Sequence, residues 1–79
     1  MNTYTAVKER LLQLLGNKKL SIHKLSLESG VSPSTIKNIL YGKSVNPGIV
    51  TIKMLCDGLG ITLKEFFENE KFDSLEEGE

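Results

Sequence analysis

The chain contains few of the residues from which catalytic and metal sites are built. Among its 79 residues there are one cysteine, one histidine and no tryptophan. The single Cys56 excludes an internal disulfide and a cysteine-based metal cluster, and His23 has no histidine or cysteine partner for a zinc site. We therefore predict that the protein is not an enzyme, that it holds no metal or cofactor, and that Cys56 is a small buried apolar residue.

Long apolar runs are also missing. The segments LLQLL and IVTIKML fall far short of the roughly 20 residues that a membrane-spanning helix needs. Residues 1–19 lack the continuous apolar stretch of a signal peptide. We therefore expect a cytoplasmic protein that does not associate with membranes.

A chain of this length forms one small domain with a modest core, too small for the deep pockets of most enzymes. Its formal net charge of zero conceals a division along the chain. Residues 1–60 contain eight lysines and arginines and three acidic residues, a net charge of +5, whereas residues 61–79 carry a net charge of −5. A basic body with an acidic end favours a binding module for a polyanion.

Apolar residues at helical spacing predict two helices in the first thirty residues. The first runs over Thr5–Leu15 and should end at the pair Gly16–Asn17. Ser21 can cap a second helix that reaches Ser29, after which Gly30 can adopt a left-handed turn. The positions expected to face the core are Val7, Leu11, Leu14 and Leu15 in the first helix and Ile22, Leu25 and Leu27 in the second.

The stretch SGVSPSTIKNILYGK starts a third helix abruptly. Ser32 can accept a hydrogen bond from a first-turn amide, and Pro33 suits the first helical position, where no amide donor is needed. Gly42 supplies the C-terminal stop. The polar segment KSVNP then forms a loop.

Two further helices and a tail follow. A fourth helix begins at Ile49, and Thr62 with Glu65 has the spacing of a capping box for a short fifth helix. No strand-like alternation competes, so we predict an all-α domain of five helices over residues 1–70. Residues 71–79 are acidic and poor in apolar side chains, so we expect them to fray.

The third helix separates two kinds of side chain onto opposite faces, at about 100° per residue with Ser34 set at zero. The core-facing residues, at about 140° to 240°, are Ile36, Ile39 and Leu40. The outward residues, within about 60° of zero, are Ser34, Lys37, Asn38 and Tyr41. A face with a hydroxyl, an amide, a phenol and an ammonium is either solvated surface or a contact surface. The preceding helix, the tight Gly-Val turn and the adjacent helix start favour contact with a DNA groove.

The sequence resembles the lambda repressor and Cro-like helix-turn-helix regulators of the xenobiotic-response-element type. Three segments carry the resemblance, LSIHKLSLESGVSPSTIKNILYGK, NPGIVTIKMLCDGLGI and TLKEFF, and it extends from about Val7 to Phe67. It implies a compact five-helix lambda repressor-like domain over residues 1–70, in which the helix Pro33–Tyr41 reads the major groove of double-stranded DNA.

The resemblance also implies roles for individual residues. Base contacts fall on Pro33, Ser34, Lys37 and Asn38, beside which Tyr41 shares the outward face. Phosphate or peripheral base contacts fall on Ser32 and Thr35, and backbone contacts on the loop residues Lys43, Ser44 and Asn46. There are departures from the family pattern. Ile22 stands where many members place a phosphate-binding glutamine, Ser26 replaces a common alanine, and Pro33 lacks a side-chain donor.

Two functions remain open at this point. The first is a sequence-specific transcriptional regulator, a repressor acting as a homodimer. This function is favoured by three phenylalanines, more than one short helix needs for docking, which are Phe66, Phe67 and Phe72. Either all three are buried in the core of the monomer or, as we expect, at least one lies in a subunit contact. The second is a protein-interaction module, an antitoxin or antirepressor component that keeps the fold with weak or no DNA readout, which Ile22 and the acidic tail favour.

Overall fold

The first helix is longer than its apolar pattern predicted. In the computed structural model, which describes residues 1–78, helix α1 spans Thr3–Lys18. Asn2 caps its start, because the Asn2 side chain accepts a hydrogen bond of 2.8 Å from the Thr5 amide. The helix ends where Lys19 adopts a left-handed conformation with φ of 54°. Gly16–Asn17 thus lies inside α1, and the predicted stop there was wrong.

Packing after the helix explains the later stop. The amides of Lys19 and Leu20 bond back to the carbonyls of Gly16 and Leu15, at 3.2 and 3.0 Å, and close the last turn. Leu20 packs against the core. A non-glycine residue in the left-handed region costs about 1–2 kcal/mol, and the partial burial of the Leu20 side chain offsets part of this cost.

Four shorter helices follow. They are α2 (Ile22–Ser29), α3 (Pro33–Leu40), α4 (Ile49–Leu59) and α5 (Leu63–Phe67), after which Glu70–Phe72 forms a 3₁₀ turn. Residues 1–78 contain no strand, and the predicted all-α fold of five helices is confirmed.

The predicted starts of α2, α3 and α5 are also confirmed, because each depends on a local side-chain hydrogen bond. Ser21, Ser32 and Thr62 cap α2, α3 and α5 by accepting from the amide three residues later. Glu65 returns the bond to the Thr62 amide at 3.0 Å, completing the capping box. Hydrogen bonds from Thr62, first through its backbone amide, lower the pKa of the exposed Glu65 carboxyl.

One core joins the five helices. Its buried members are Val7, Leu11, Leu14, Leu15, Leu25, Val31, Ile36, Ile39, Leu40, Ile52, Leu55, Cys56, Leu59 and Phe66. Cys56 is fully buried as predicted, and burial raises the pKa of its thiol, with Asp57 adding to the effect. Leu27 was wrongly assigned to the core. It is 66% exposed because it lies about 200° around α2 from the buried Leu25.

Helices α2 and α4 approach each other closely at one glycine. A methyl group placed on Gly58 of α4 would lie 2.7 Å from the Ser29 Cβ and 2.9 Å from its backbone nitrogen. This close approach therefore requires glycine at position 58. It keeps α2, and with it α3, packed against α4.

Helix α1 also holds the end of α5. The Arg10 guanidinium donates from Nε to the Phe66 carbonyl at 2.7 Å and from Nη2 to the Glu65 carbonyl at 2.8 Å, while Nη1 bonds to Gln13 at 2.8 Å. Carbonyls in the last turn of a helix have no intrahelical partner, so the arginine caps α5 from a distant part of the chain.

The three phenylalanines form one cluster. Phe66 is fully buried, and its ring centroid lies 4.9 Å from that of Phe67 and 6.2 Å from that of Phe72, with Phe67 and Phe72 5.0 Å apart. Phe67 and Phe72 remain half-buried. Phe66 is thus not left over for a second subunit, because the monomer core already surrounds it.

The start of the predicted tail lies against the folded part. Phe72 belongs to the aromatic cluster, Leu75 is half-buried, and the Glu76 amide donates to the Met1 carbonyl at 3.2 Å. The predicted boundary after residue 70 stays a prediction. Glu79, the last residue of the predicted tail, lies outside the described residues.

Candidate nucleic-acid interface

The start of α3 is built from two hydroxyls and a proline. The Ser32 Oγ accepts from the Thr35 amide at 3.2 Å and lies 2.9 Å from the Thr35 Oγ1, so the two hydroxyls share a hydrogen bond. Pro33 occupies the first helical position. Ser32 and Pro33 are exposed and Thr35 is half-buried, so this helix start faces outward.

Burial and a local hydrogen bond fix the conformation of the turn before α3. Gly30 adopts a left-handed conformation with φ of 74°, and the next residue, Val31, is only 5% exposed. The Ser29 hydroxyl accepts from the Val31 amide at 3.1 Å. These contacts set the direction in which α3 leaves α2, as a helix-turn-helix unit requires.

The two faces of α3 are separated as the sequence predicted. Ile36, Ile39 and Leu40 are at most 7% exposed and pack into the core. The exposed face consists of Ser34, Lys37, Asn38 and Tyr41. Tyr41 is 70% exposed and is the C-cap of α3, so the helix ends at Leu40, one residue before the predicted end. The predicted stop Gly42 follows directly, with a positive φ. The exposed face thus presents donors and acceptors along two turns of helix.

The loop after α3 folds back on the end of that helix. The Asn38 carbonyl accepts from the amides of both Lys43 and Ser44, at 3.0 and 2.9 Å, and Gly42 has a positive φ of 84° at the bend. Lys43 and Asn46 are exposed and Ser44 is half-buried. The structure therefore brings Lys43 and Ser44 beside the C-terminal end of the exposed face, with Asn46 in the same loop.

The charge on this surface is modest. The ion pairs within residues 1–78 are Lys24–Glu28 at 3.1 Å and Lys53–Asp57 at 2.5 Å, on α2 and α4. Within that part of the chain Lys37 and Lys43 have no carboxylate partner, so both ammonium groups are available to a polyanion. Two lysines on this surface of the chain predict a moderate salt dependence of polyanion binding.

Sequence reasoning missed Tyr4. Its hydroxyl donates to the Ile39 carbonyl in the last turn of α3. Tyr4 precedes Val7 by three residues and extends the apolar stripe of α1 toward its start, so helical spacing in the sequence could have identified it. Its polar partner on α3 could not have been read from the sequence, because the two residues are 35 positions apart.

An open apolar groove adjoins the α3–α4 loop. It has a volume of about 740 Å³, and its walls include Tyr4, Val45, Pro47, Ile49 and Phe67. No group of three or more His, Cys, Asp or Glu side chains within residues 1–78 is placed to hold a metal ion. No helix in the same part of the chain is long and apolar enough to cross a bilayer.

Comparisons with known proteins agree with this geometry. A family model described as "Helix-turn-helix domain" matches residues 8–71. Among solved structures, the chain is similar to the crystal structure of the prophage Lp1 protein 11, with 30% sequence identity, coverage of 95% of this chain and 100% of that chain, and a TM-score of 0.79. A comparison with curated proteins gives no match.

Proposed function

Because the chain belongs to the helix-turn-helix domain family, we propose that it is a DNA-binding protein and a sequence-specific transcriptional repressor. It reads the major groove with Pro33–Tyr41. The observation that carries the proposal is the exposed face of α3, on which a hydroxyl, an ammonium, an amide and a phenol project away from a fully apolar opposite face. We also propose that the chain is a lambda repressor and Cro-like regulator of the xenobiotic-response-element type.

The exposed face supplies the chemistry for base readout. The Asn38 amide can accept from N6 and donate to N7 of one adenine, and Lys37 can donate to the O6 and N7 of guanine. Ser34 adds a hydroxyl that serves either as donor or as acceptor. Pro33 offers only apolar contact, and Tyr41 extends the surface toward the loop.

Backbone contacts complete the proposed interface. Lys43 contributes charge, and Ser44 and Asn46 contribute hydrogen-bonding groups from the loop, while Ser32 and Thr35 lie at the helix start where phosphate binds readily. Their hydroxyls already satisfy each other, so a phosphate contact would share that network. These groups set the register of the helix on the duplex, and the exposed face of α3 then selects the sequence.

We further propose that the repressor acts as a homodimer in the cytoplasm and has no catalytic activity. One recognition helix reads only a few base pairs, and a two-fold dimer doubles the site, with half-sites about 34 Å apart along the duplex. Cys56 is fully buried and His23 is an exposed helix residue, so neither forms the nucleophile and base pair of a catalytic site.

The second candidate is a protein-interaction module, such as an antitoxin or antirepressor component. Exposed apolar side chains favour it, since Val45, Ile49 and Val50 are 61%, 59% and 71% exposed at the α3–α4 loop and the first turn of α4. Ile22 in place of a phosphate-binding glutamine favours it as well. A surface of this kind is typical of protein contacts, and it lies beside the proposed DNA interface.

The test is a selection from randomised duplexes with the full chain, followed by fluorescence anisotropy of the selected and a scrambled duplex. The proposal predicts a tighter complex with the selected duplex and, in sedimentation, two chains on each duplex. A chain that binds no duplex, or binds all sequences alike, would refute specific readout and favour the interaction module. A monomer both free and on the selected duplex would rule out the homodimer.

A further inference from the structure

The end of α3 is tied to the start of α1 by one long-range hydrogen bond. The Tyr4 hydroxyl donates to the Ile39 carbonyl at 2.5 Å. In a continuing helix that carbonyl would accept the Lys43 amide, but the amides of Lys43 and Ser44 both bond to Asn38 instead. The Tyr4 hydroxyl thus gives the Ile39 carbonyl a hydrogen-bond donor that α3 itself does not provide.

The surroundings of Tyr4 anchor its ring at the same junction. Tyr4 is half-buried, and Val7, one turn further along α1, belongs to the core. At Gly42, the left-handed bend that starts the loop, an added methyl group would lie 3.9 Å from the Tyr4 hydroxyl oxygen. Tyr4 therefore lies where the exposed face of α3 gives way to the loop that carries Lys43.

We propose that Tyr4 is a positioning residue for DNA recognition, which holds the loop Lys43–Asn46 at a set distance from the exposed face of α3. The inference rests on the proposed function of that face. In a specific complex, phosphate contacts from the loop and base contacts from the helix must form together, so their relative position matters. A nonspecific complex depends on charge and tolerates a loop that moves.

Two substitutions in α1 separate this role from general stability. Tyr4→Phe removes the hydroxyl and keeps the ring, while Arg10→Met removes the cap of α5 and keeps an apolar stem. Both delete side-chain donors to the C-terminal carbonyls of another helix, which is α3 for Tyr4 and α5 for Arg10. Arg10→Met should lower the melting temperature at least as much, since Arg10 makes more hydrogen bonds.

The first measurement is amide hydrogen exchange of the free chain. In Tyr4→Phe the amides of Lys43 and Ser44 should exchange about two- to tenfold faster, the factor expected for the loss of one hydrogen bond from a local opening equilibrium. Arg10→Met should leave these two amides unchanged. Equal protection in Tyr4→Phe and the unaltered chain would overturn the proposal.

The second measurement is anisotropy on the duplex selected by the unaltered chain and on a scrambled duplex, across a salt series. Tyr4→Phe should weaken binding to the selected duplex by about two- to tenfold, with unchanged binding to the scrambled duplex and an unchanged salt slope. Arg10→Met should preserve the ratio of the two affinities.

Each remaining outcome also decides the matter. An equal loss on both duplexes, or an affinity ratio that falls in Arg10→Met as much as in Tyr4→Phe, would show that Tyr4 acts only through stability. If the unaltered chain binds no duplex, the proposed function fails and this role fails with it. If the unaltered chain discriminates between duplexes and Tyr4→Phe does so equally well, only the role of Tyr4 is refuted.

Discussion

Replacing Asn38 with alanine separates DNA readout from folding. The contacts that Asn38 makes to the loop come from its backbone carbonyl, which accepts from the amides of Lys43 and Ser44. Alanine keeps that carbonyl, so the loop should stay in place. Alanine is also a better helix former than asparagine by about 0.5 kcal/mol, which predicts a melting temperature that is unchanged or about 2–4 °C higher.

DNA affinity should change in the opposite direction. A bidentate contact between an asparagine and an adenine contributes about 1–3 kcal/mol of discrimination, so its loss should weaken the complex about 5- to 150-fold per half-site. Preference should relax at one base position in each half-site, and the scrambled duplex should bind as before. A stabilised protein with a weakened specific complex is the expected result.

Lys43→Ala provides the contrasting result. Lys43 is exposed at the loop and contributes charge without a sequence preference. Its loss should weaken the selected and scrambled duplexes alike and lower the salt-dependence slope by about one per subunit. Lys64→Ala is the control. It removes one positive charge from α5, at a distance from α3, and should leave the salt-dependence slope nearly unchanged.

The assay is fluorescence anisotropy of these variants on both duplexes across a salt series, with melting temperatures measured in parallel. Asn17→Ala, an exposed helical asparagine of α1, is the matched control for Asn38→Ala and should leave DNA binding unchanged. Equal loss on every duplex in Asn38→Ala, or no change in either Asn38→Ala or Lys43→Ala, would refute α3 as the reading helix. The interaction module would then be the better hypothesis.

Further predictions concern stability and the acidic end. Gly58→Ala should lower the free energy of unfolding by about 1–2 kcal/mol, because overpacking against α2 exceeds the helix-propensity gain, whereas Gly16→Ala has open space and should raise it by up to about 1 kcal/mol. Urea titration measures the free energy of unfolding of both variants. An increase in both would contradict the close contact at Gly58. Truncation after Phe72 should modestly tighten DNA binding at low salt, since it removes negative charge. It should leave the melting temperature nearly unchanged, because within residues 1–78 the long-range contacts it removes are those of the half-buried Leu75 and one hydrogen bond from Glu76 to Met1; a large fall in melting temperature would show that these contacts stabilise the fold. The folded pKa of Glu65 is lowered from 4.5, so its stabilising contribution is present above that value and is lost as pH falls through the lower folded pKa. In thermal melts between about pH 6 and 2, the melting temperature of Glu65→Gln should fall less on acidification than that of the unaltered chain. An equal fall in both would refute the pH-dependent contribution of Glu65.

The sequence alone determined the starts of α2, α3 and α5 and the two faces of α3. A cap is a hydrogen bond between residues three positions apart, as at Ser32 and Thr62, and a helical face repeats every three to four residues. Both signals are local and can be read without knowing where any other helix lies. For the same reason the sequence placed the candidate residues of α3 on one exposed face, while their contacts with DNA remain predictions.

Only the tertiary structure decided how that face is held. Tyr4 reaches α3 across 35 positions and Arg10 reaches α5 across 55 and 56 positions. The end of α1 at Lys19 depends on the packing of Leu20, and the need for glycine at position 58 depends on α2 lying against it. Such contacts join residues brought together by the common core, and no local pattern encodes the distance between two helices that are far apart in the chain.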